Sequence, residues 1–582
     1  MVTAAAVLAV AAGAGLWWRH TAQGREADRA ATAEITAFAQ GWQRRDFTAP
    51  DVRVEGTSGK AVNAAFKTAT GGLGSGPVTV QADAVSRTGD SAKGTLHVTW
   101  TLAGGAKWSY DAPVAARRSG GTWAISLPAD ASPWNPGVAA KDRLTATRTW
   151  GTRGDLLDGS GQPLMPLGKV YPVQLDPARA TAQVATALEK IVDDPAGSLV
   201  TKLAAAQKAG SSAPIPVITY RESDFQARRS QLDALKGVIY PVREQPLAPT
   251  RGFGQPLLGS YGPVSAEQIA KGNGRYAVGD SAGVSGLQGQ YDAILGGTPG
   301  VKVTSSGKPG TPLFEKAAVD GAAVKTTLDQ RTQAAAEKAL KASGGTPSAL
   351  VAVNVKTGDV LAAANSPALG FDRAITGRYQ PGSAFKVATS YALLSGGKVT
   401  PTTPVTCPKT VVVDGRSFKN YEGEELGTPT FTDDFAHSCN TAFVQLAARL
   451  GDSDLSTAAT KIGLTGWAKS LGVANAFDAS IPANNSKTDK AAAAIGQGRN
   501  EVSPLALAVM AANVARGSAI APALVTDPKP AGVDRTPAPL DASTITQLRG
   551  LMGAVVQRGT ATVLNGTPGG VVRGKTGTAE FG

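Results

Sequence analysis

Histidine and cysteine are nearly missing from this 582-residue chain, which holds three His (His20, His97, His437) and two Cys (Cys407, Cys439). So few donors cannot build a His/Cys zinc centre or an iron–sulfur cluster, and neither a metal nor a cofactor is expected. A Ser-His-Asp triad is poorly supported for the same reason. Charged residues are sparse at 18%, and the formal net charge of +13 is spread along the chain without a dense basic block. That distribution suits anionic surroundings, such as a membrane or an acidic polymer, and argues against a nucleic-acid partner. There are no internal repeats, and the 69 Gly and 36 Pro follow no three-residue period, which excludes collagen. The length fits about four domains.

The longest uncharged run opens the chain. Val2 to Trp18 (VTAAAVLAVAAGAGLWW) would span about 26 Å as a helix, close to a bilayer core. It reads either as a membrane anchor over residues 1–20 or as a signal peptide cleaved near Ala12-Gly13-Ala14. Trp17, Trp18 and Arg19 stand where an interfacial belt would lie, which favours the anchor. No Lys or Arg precedes the run, so a start upstream of Met1 is expected. The expected location is a single-pass cell-membrane protein whose remaining domains are extracytoplasmic. That compartment permits disulfides, and Cys407 and Cys439 could pair there.

The texture then divides the chain, and a multi-domain α+β protein is expected. Residues 25–47 carry Ile35, Phe38, Ala39 and Trp42 at helical spacing. Short alternating segments follow, separated by Gly-rich turns, and predict a small α+β domain over 25–136 that acts as a spacer or binding module. Residues 140–312 are irregular and Gly/Pro-rich, with short strands, one helix around 177–193 and a linker over 296–312. From about 320 to 582 the pattern is that of helices around a hairpin. A helix is expected over Thr327–Ala342, and strands Ala349–Val355 and Val360–Ala364 are expected across Lys356-Thr357-Gly358-Asp359.

Three short motifs lie in this last part. In Ser383-Ala384-Phe385-Lys386, Pro381-Gly382 marks a helix start, so Ser383 falls where backbone N–H groups are unpaired and an oxyanion is favoured. Lys386 is on the same helix face and can take the serine proton if burial or neighbouring cations lower its pKa. In Ser438-Cys439-Asn440, Ser438 can relay a proton between Lys386 and a leaving amine, and Asn440 can hold a substrate amide. Lys575-Thr576-Gly577-Thr578, after the plausible strand Val571–Gly574, supplies a cation, two hydroxyl donors and a close backbone approach, fit to grip a terminal carboxylate. Each motif alone is weak. All three in this order match the serine set of penicillin-binding proteins and β-lactamases.

The resemblance extends beyond the motifs. Thr376–Ser383, Ile495-Gly496-Gln497-Gly498 and Val502-Ser503-Pro504-Leu505 are similar to the approach and intermotif segments of class B penicillin-binding proteins. Arg153–Asp158 and Ser285-Gly286-Leu287 resemble their dimerisation domain, although Gln288 stands where the family usually has a glutamate. Gly121–Ile125 is similar to the end of the NTF2-like domain of low-affinity, resistance-type members. The resemblance implies an anchor, an NTF2-like domain (25–136), a β-rich dimerisation domain (140–312) and a penicillin-binding transpeptidase domain (320–582) with an antiparallel sheet flanked by helices. It also implies D,D-transpeptidation of peptidoglycan stem peptides, inhibition by β-lactams, and partners among division or elongation proteins. Family members continue past Lys-Thr-Gly with further strands and a helix, so a truncated C-terminus is expected here.

Rival readings are a D,D-carboxypeptidase, a β-lactam sensor or β-lactamase, and an inactive wall-binding scaffold. A class A lactamase needs a glutamate for deacylation, and none lies between Asn440 and Asn500. His437 reads as a packing residue, and Glu422, Glu424 and Glu425 as a solvated loop rim.

Overall fold

The computed structural model of the chain describes residues 3–532 and 534–579, with side chains from residue 24 onward. The anchor expected over 1–20 lies outside the residues whose side chains are described. Among the described residues no helix is long and apolar enough to cross a membrane. The chain forms two compact units. One gathers Met1–Gly154, Pro263–Ser281 and Gly296–Ala322, and the other Asp155–Gly262, Ala282–Leu295 and Ala323–Gly582.

The first unit packs helix Thr3–Arg44 and helix Gly59–Thr70 on a five-stranded antiparallel sheet. Ile35, Phe38, Ala39 and Trp42, one stripe of the first helix, are all buried. The second helix begins at Ser58, whose hydroxyl caps the Ala61 N–H. Strand Ser91–Thr101 is the centre of the sheet and pairs with both Val78–Ala82 and Lys107–Ser119, in a register that sets Trp100 opposite Trp108. Burial alternates along these strands, as expected for a sheet with one wet face. A separate three-stranded sheet joins Leu144–Thr149, Gly300–Ser305 and Phe314–Lys316. Residues 144–149 and 296–322 therefore fold with the N-terminal segment, because strand pairing ignores separation along the chain.

In the second unit, strands Leu167–Leu175 and Ile215–Arg221 pair beside helices Ala182–Val192 and Ser198–Lys208. The first of these helices starts later than its sequence suggests, since Thr181 caps it with its hydroxyl. Helix Gln330–Leu340, capped by Asp329, lies against the hairpin Ser348–Val353 and Val360–Ser366. Thr327 is not part of that helix, because its hydroxyl bonds the Val360 and Ala523 carbonyls instead. Helix Pro504–Arg516, with Ser503 as cap and Pro504 in its first turn, flanks the same hairpin. Helices Lys386–Ser395, Phe431–Ala436, Asn440–Leu446 and Ala542–Arg558 form the body that carries the three motifs. Gln288 is buried in this unit, and its amide donates to Met165 Sδ at 3.7 Å.

The strand expected over Val571–Gly574 does not form. A strand exists only through a ladder, and among the described residues this segment has one backbone bond, from Gly574 N–H to the Met552 carbonyl (3.1 Å).

Candidate active site

Ser383 sits in a 3₁₀ turn, Gly382–Phe385, that runs into helix Lys386–Ser395. The turn is wedged between two other segments, and two glycines make that possible. Gly382 has φ +52°, and a Cβ there would lie 2.3 Å from the Thr578 carbonyl oxygen. Gly496 has φ +75°, and a Cβ there would lie 1.9 Å from the Gly382 oxygen, while Gly382 N–H bonds the Gly496 carbonyl at 2.9 Å. The approach to the turn is fixed by a reciprocal pair of backbone bonds between Tyr379 and Val502. The Lys-Thr-Gly segment and the intermotif Gly496 segment thus meet at the serine.

Lys386 is fully buried. Its Nζ is within hydrogen-bond distance of the Ser438 carbonyl (2.7 Å), Ser438 Oγ (3.2 Å) and Asn440 Oδ1 (2.7 Å), and it lies over the Phe443 ring. Burial, and then the nearby Lys575 charge, hold its pKa well below the ordinary lysine range. Lys575 donates to the same Ser438 Oγ at 2.8 Å and to the Thr576 carbonyl at 3.0 Å. Its pKa is lowered by burial to about 7. Ser438 therefore bridges two lysines. It does so from a left-handed backbone (φ +62°), which is costly for a residue with a Cβ and is kept only where the surroundings enforce it.

Asn440 starts the next helix. Its Oδ1 is taken by Lys386 and its Nδ2 donates to the Lys419 carbonyl at 3.0 Å, which leaves one amide hydrogen for a ligand. Cys439 is disulfide-bonded to Cys407, with Cα atoms 6.2 Å apart, and both sulfurs are buried. Thr576 Oγ shares a 2.6 Å hydrogen bond with Thr560 Oγ. Ser383, Ser438, Asn440, Thr576, Gly577 and Thr578 all line one cleft of about 630 Å³.

The cleft has walls that the motifs do not announce. Hairpin Thr410–Val413 and Arg416–Lys419, then Asn420, Tyr421, Glu422 and Glu424, form one side. Asp414-Gly415 between short β-branched runs is a two-residue hairpin signal that could have found it. Buried Asn420 fastens the wall, since its amide reaches the Pro408 and Glu424 carbonyls and its Oδ1 accepts the Thr441 N–H. Glu422 and Glu425 are exposed and Glu424 is half-buried, as a solvated rim requires, and Glu422 and Glu424 stand on the cleft's own edge. His437 lies 3.6 Å from Glu424 and also lines the cleft. Asp434, one turn ahead of Ser438, is wholly buried with no hydrogen-bond partner for either carboxyl oxygen among the described residues. Burial, and then neighbouring Asp433, push its pKa up to about 7. No sequence signal marked it.

Comparison with known proteins follows these segments. The penicillin binding protein transpeptidase domain family matches residues 348–582, and the penicillin-binding protein dimerisation domain family matches residues 148–326. The peptidoglycan D,D-transpeptidase PbpA of Mycobacterium tuberculosis is 32% identical over 314 residues, which cover 45% of this chain and 61% of the relative. PbpA of Mycolicibacterium smegmatis is 29% identical, covering 56% and 71%. A solved structure described as "Structural coordination of polymerization and crosslinking by a peptidoglycan synthase complex" matches with a TM-score of 0.56 and 25% identity, over 76% of this chain and 82% of that one. The chain thus spans somewhat under two thirds of the length of the tuberculosis relative. A dimerisation-domain match leading into a transpeptidase-domain match, beside relatives named peptidoglycan D,D-transpeptidases, makes the chain a member of the class B penicillin-binding proteins.

Proposed function

We propose that the chain is a peptidoglycan D,D-transpeptidase that binds penicillin. The observation that carries this reading is the Ser438 hydroxyl held by both Lys386 and Lys575 in the cleft that also contains Ser383. Lys386, whose pKa burial lowers, takes the proton of Ser383 in its free-amine form as the oxygen attacks the penultimate D-alanine carbonyl of a stem peptide. The N–H groups of Ser383 and Thr578, which no other described residue engages, receive the oxyanion. The proton passes through Ser438 to the departing terminal D-alanine, whose carboxylate is held by Lys575, Thr576 and Thr578. An amine of a neighbouring stem peptide then takes the acyl group and forms the cross-link. β-Lactams enter the same site as mimics of the D-Ala-D-Ala end.

In this reading residues 25–136 are an NTF2-like module, 140–312 the dimerisation domain and 320–582 the transpeptidase domain. The anchor at 1–20 holds the protein at the outer face of the cell membrane, where division or elongation proteins are its partners. The test is intact-protein mass spectrometry after benzylpenicillin. A single adduct on the full chain, mapped to Ser383 and absent from Ser383→Ala, is expected. An adduct that persists on the alanine variant assigns the nucleophile elsewhere.

A further inference from the structure

We propose that Asp434 is a positioning residue for this reaction: its carboxyl, sealed behind the Ser438–Cys439 peptide, sets which protonation state of the Lys386 amine faces Ser383. The inference rests on the reading of Ser383 and Lys386 given above.

The geometry begins with one peptide unit. The Ser438 carbonyl accepts from Lys386 Nζ at 2.7 Å, and the Cys439 N–H of the same unit bonds the Asp434 carbonyl at 2.8 Å. Asp434 and Lys386 therefore hold one peptide from its two ends. Behind it, a carboxyl oxygen of Asp434 and the sulfurs of Cys407 and Cys439 lie within 4.8 Å of one another. The sulfurs are bonded to each other, so the disulfide is an apolar wall beside the carboxyl and the three do not form a set of metal ligands. It shuts water away from the carboxyl.

A buried carboxylate with no donor is strongly disfavoured unless a cation compensates it. The charged groups around Asp434 are few. Asp433 precedes it and is paired with Arg558 of helix Ala542–Arg558. His437 follows at the helix end and faces Glu424. Lys386 comes from the serine helix, and its charge and that of Asp434 attract. Lys575 stands on the far side of Ser438 Oγ. Asp434 and Lys386 share no hydrogen bond, but their charges are coupled, and with one proton between them the pair has two arrangements: ionised carboxylate with ammonium, or neutral acid with free amine.

Only the second arrangement is reactive. As an ammonium, Lys386 has three N–H donors and three acceptors for them, the Ser438 carbonyl, Ser438 Oγ and Asn440 Oδ1, so nothing remains to accept a proton. As an amine it has a lone pair for Ser383. When the serine attacks, its O–H bond breaks, an N–H bond forms on Lys386, and Asp434 keeps its own proton. A neutral Asp434 gives the ammonium no counter-ion beside Lys575, which favours the free base.

The test is the pH dependence of acylation by a fluorescent penicillin, measured on the full chain. Asp434→Asn removes the compensating anion, so the acidic limb should move down by about one pH unit while the plateau rate stays within about threefold. Asp434→Glu keeps a carboxyl and should hold the limb near its original position. Asp434→Ser, smaller and neutral, is read as the amide variant if that one does not fold. A folded neutral variant with an unmoved limb overturns the proposal. So does failure of both neutral variants to fold while Asp434→Glu folds with its limb unmoved, for then the carboxyl is structural. If the unsubstituted chain is not labelled at Ser383, the reading of the site itself falls and takes this inference with it.

Discussion

In the N-terminal unit the centre is aromatic: Phe38, Trp42, Phe47, Phe66, Trp100 and Trp134 lie with ring centroids 4.9 to 6.3 Å apart. Around the cleft Phe385, Phe431, Phe435 and Phe443 are buried as well, but among alanine and polar groups. Ala388, Ala442 and Ala491 to Ala494 are buried there, together with Lys386, Thr389, Ser390, Asp434 and Thr441. Large rings bring much buried area and many dispersion contacts per residue, and a core made of them is a source of stability. Alanine lets helices approach closely but contributes little area each. The space it leaves is taken by a dry amine and a dry carboxyl, which cost free energy to bury. One core favours persistence, and the other gives up stability to fix chemical groups.

The sharpest way to break this contrast is Trp42→Ala. Its ring is fully buried and touches both Phe66 and Trp134. A loss of about 3–5 kcal/mol is expected, seen by calorimetry as an earlier transition of the N-terminal unit, with penicillin acylation unchanged. Acylation falling in parallel would show that the two cores are not energetically separate. Next in size is the disulfide. Reducing Cys407–Cys439 opens a 32-residue loop and should cost about 3–4 kcal/mol on the chain-entropy estimate, lowering the melting temperature of the cleft unit alone. A reductant that leaves that transition in place shows the alanine-rich packing to be sufficient by itself.

The smallest effect sharpens the comparison through pH. Lys575 titrates near 7 in the fold because it is buried, against about 10.4 when unfolded. The unfolded chain binds the extra proton between these values, so stability is greatest above the upper one and falls as pH drops toward 7. Lys575→Met should lessen the slope of the cleft unit's melting temperature between pH 7 and 10, leaving the part that Lys386 contributes with the same sign, and leave the aromatic unit's pH dependence as it was. An equally steep slope in the variant would place the titration on another group.

What the sequence disclosed follows the same division. The helical stripe of Ile35, Phe38 and Trp42 is periodic, and periodicity reports burial directly. Ser383, Lys386, Ser438, Asn440 and Lys575 were legible because their spacing repeats a known chemistry, and the structure brings them to one cleft or its floor. Asp434 was not legible. It stands beside Asp433 in a short helix, and two adjacent acids look alike until packing exposes one to Arg558 and buries the other. Glu422, Glu424 and Glu425 were legible as a solvated rim, but not which of them face the cleft, because a Gly-containing acidic loop has no periodicity from which to read a facing direction. The segment before Lys575 is apolar and β-branched enough to read as a strand, but a strand needs a partner and propensity alone does not supply one.

The close contact of Gly382 with Gly496 and Thr578 has a consequence for how this site can change over evolution. A single added methyl at either glycine would collide with a carbonyl oxygen, so the ground directly beneath Ser383 is closed to adaptive change. More open ground lies along the wall from Arg416 to Glu424 and at Gln497 and Thr560, which line the same cleft. Substitutions there can reshape what enters the cleft and leave the turn that holds Ser383 as it is.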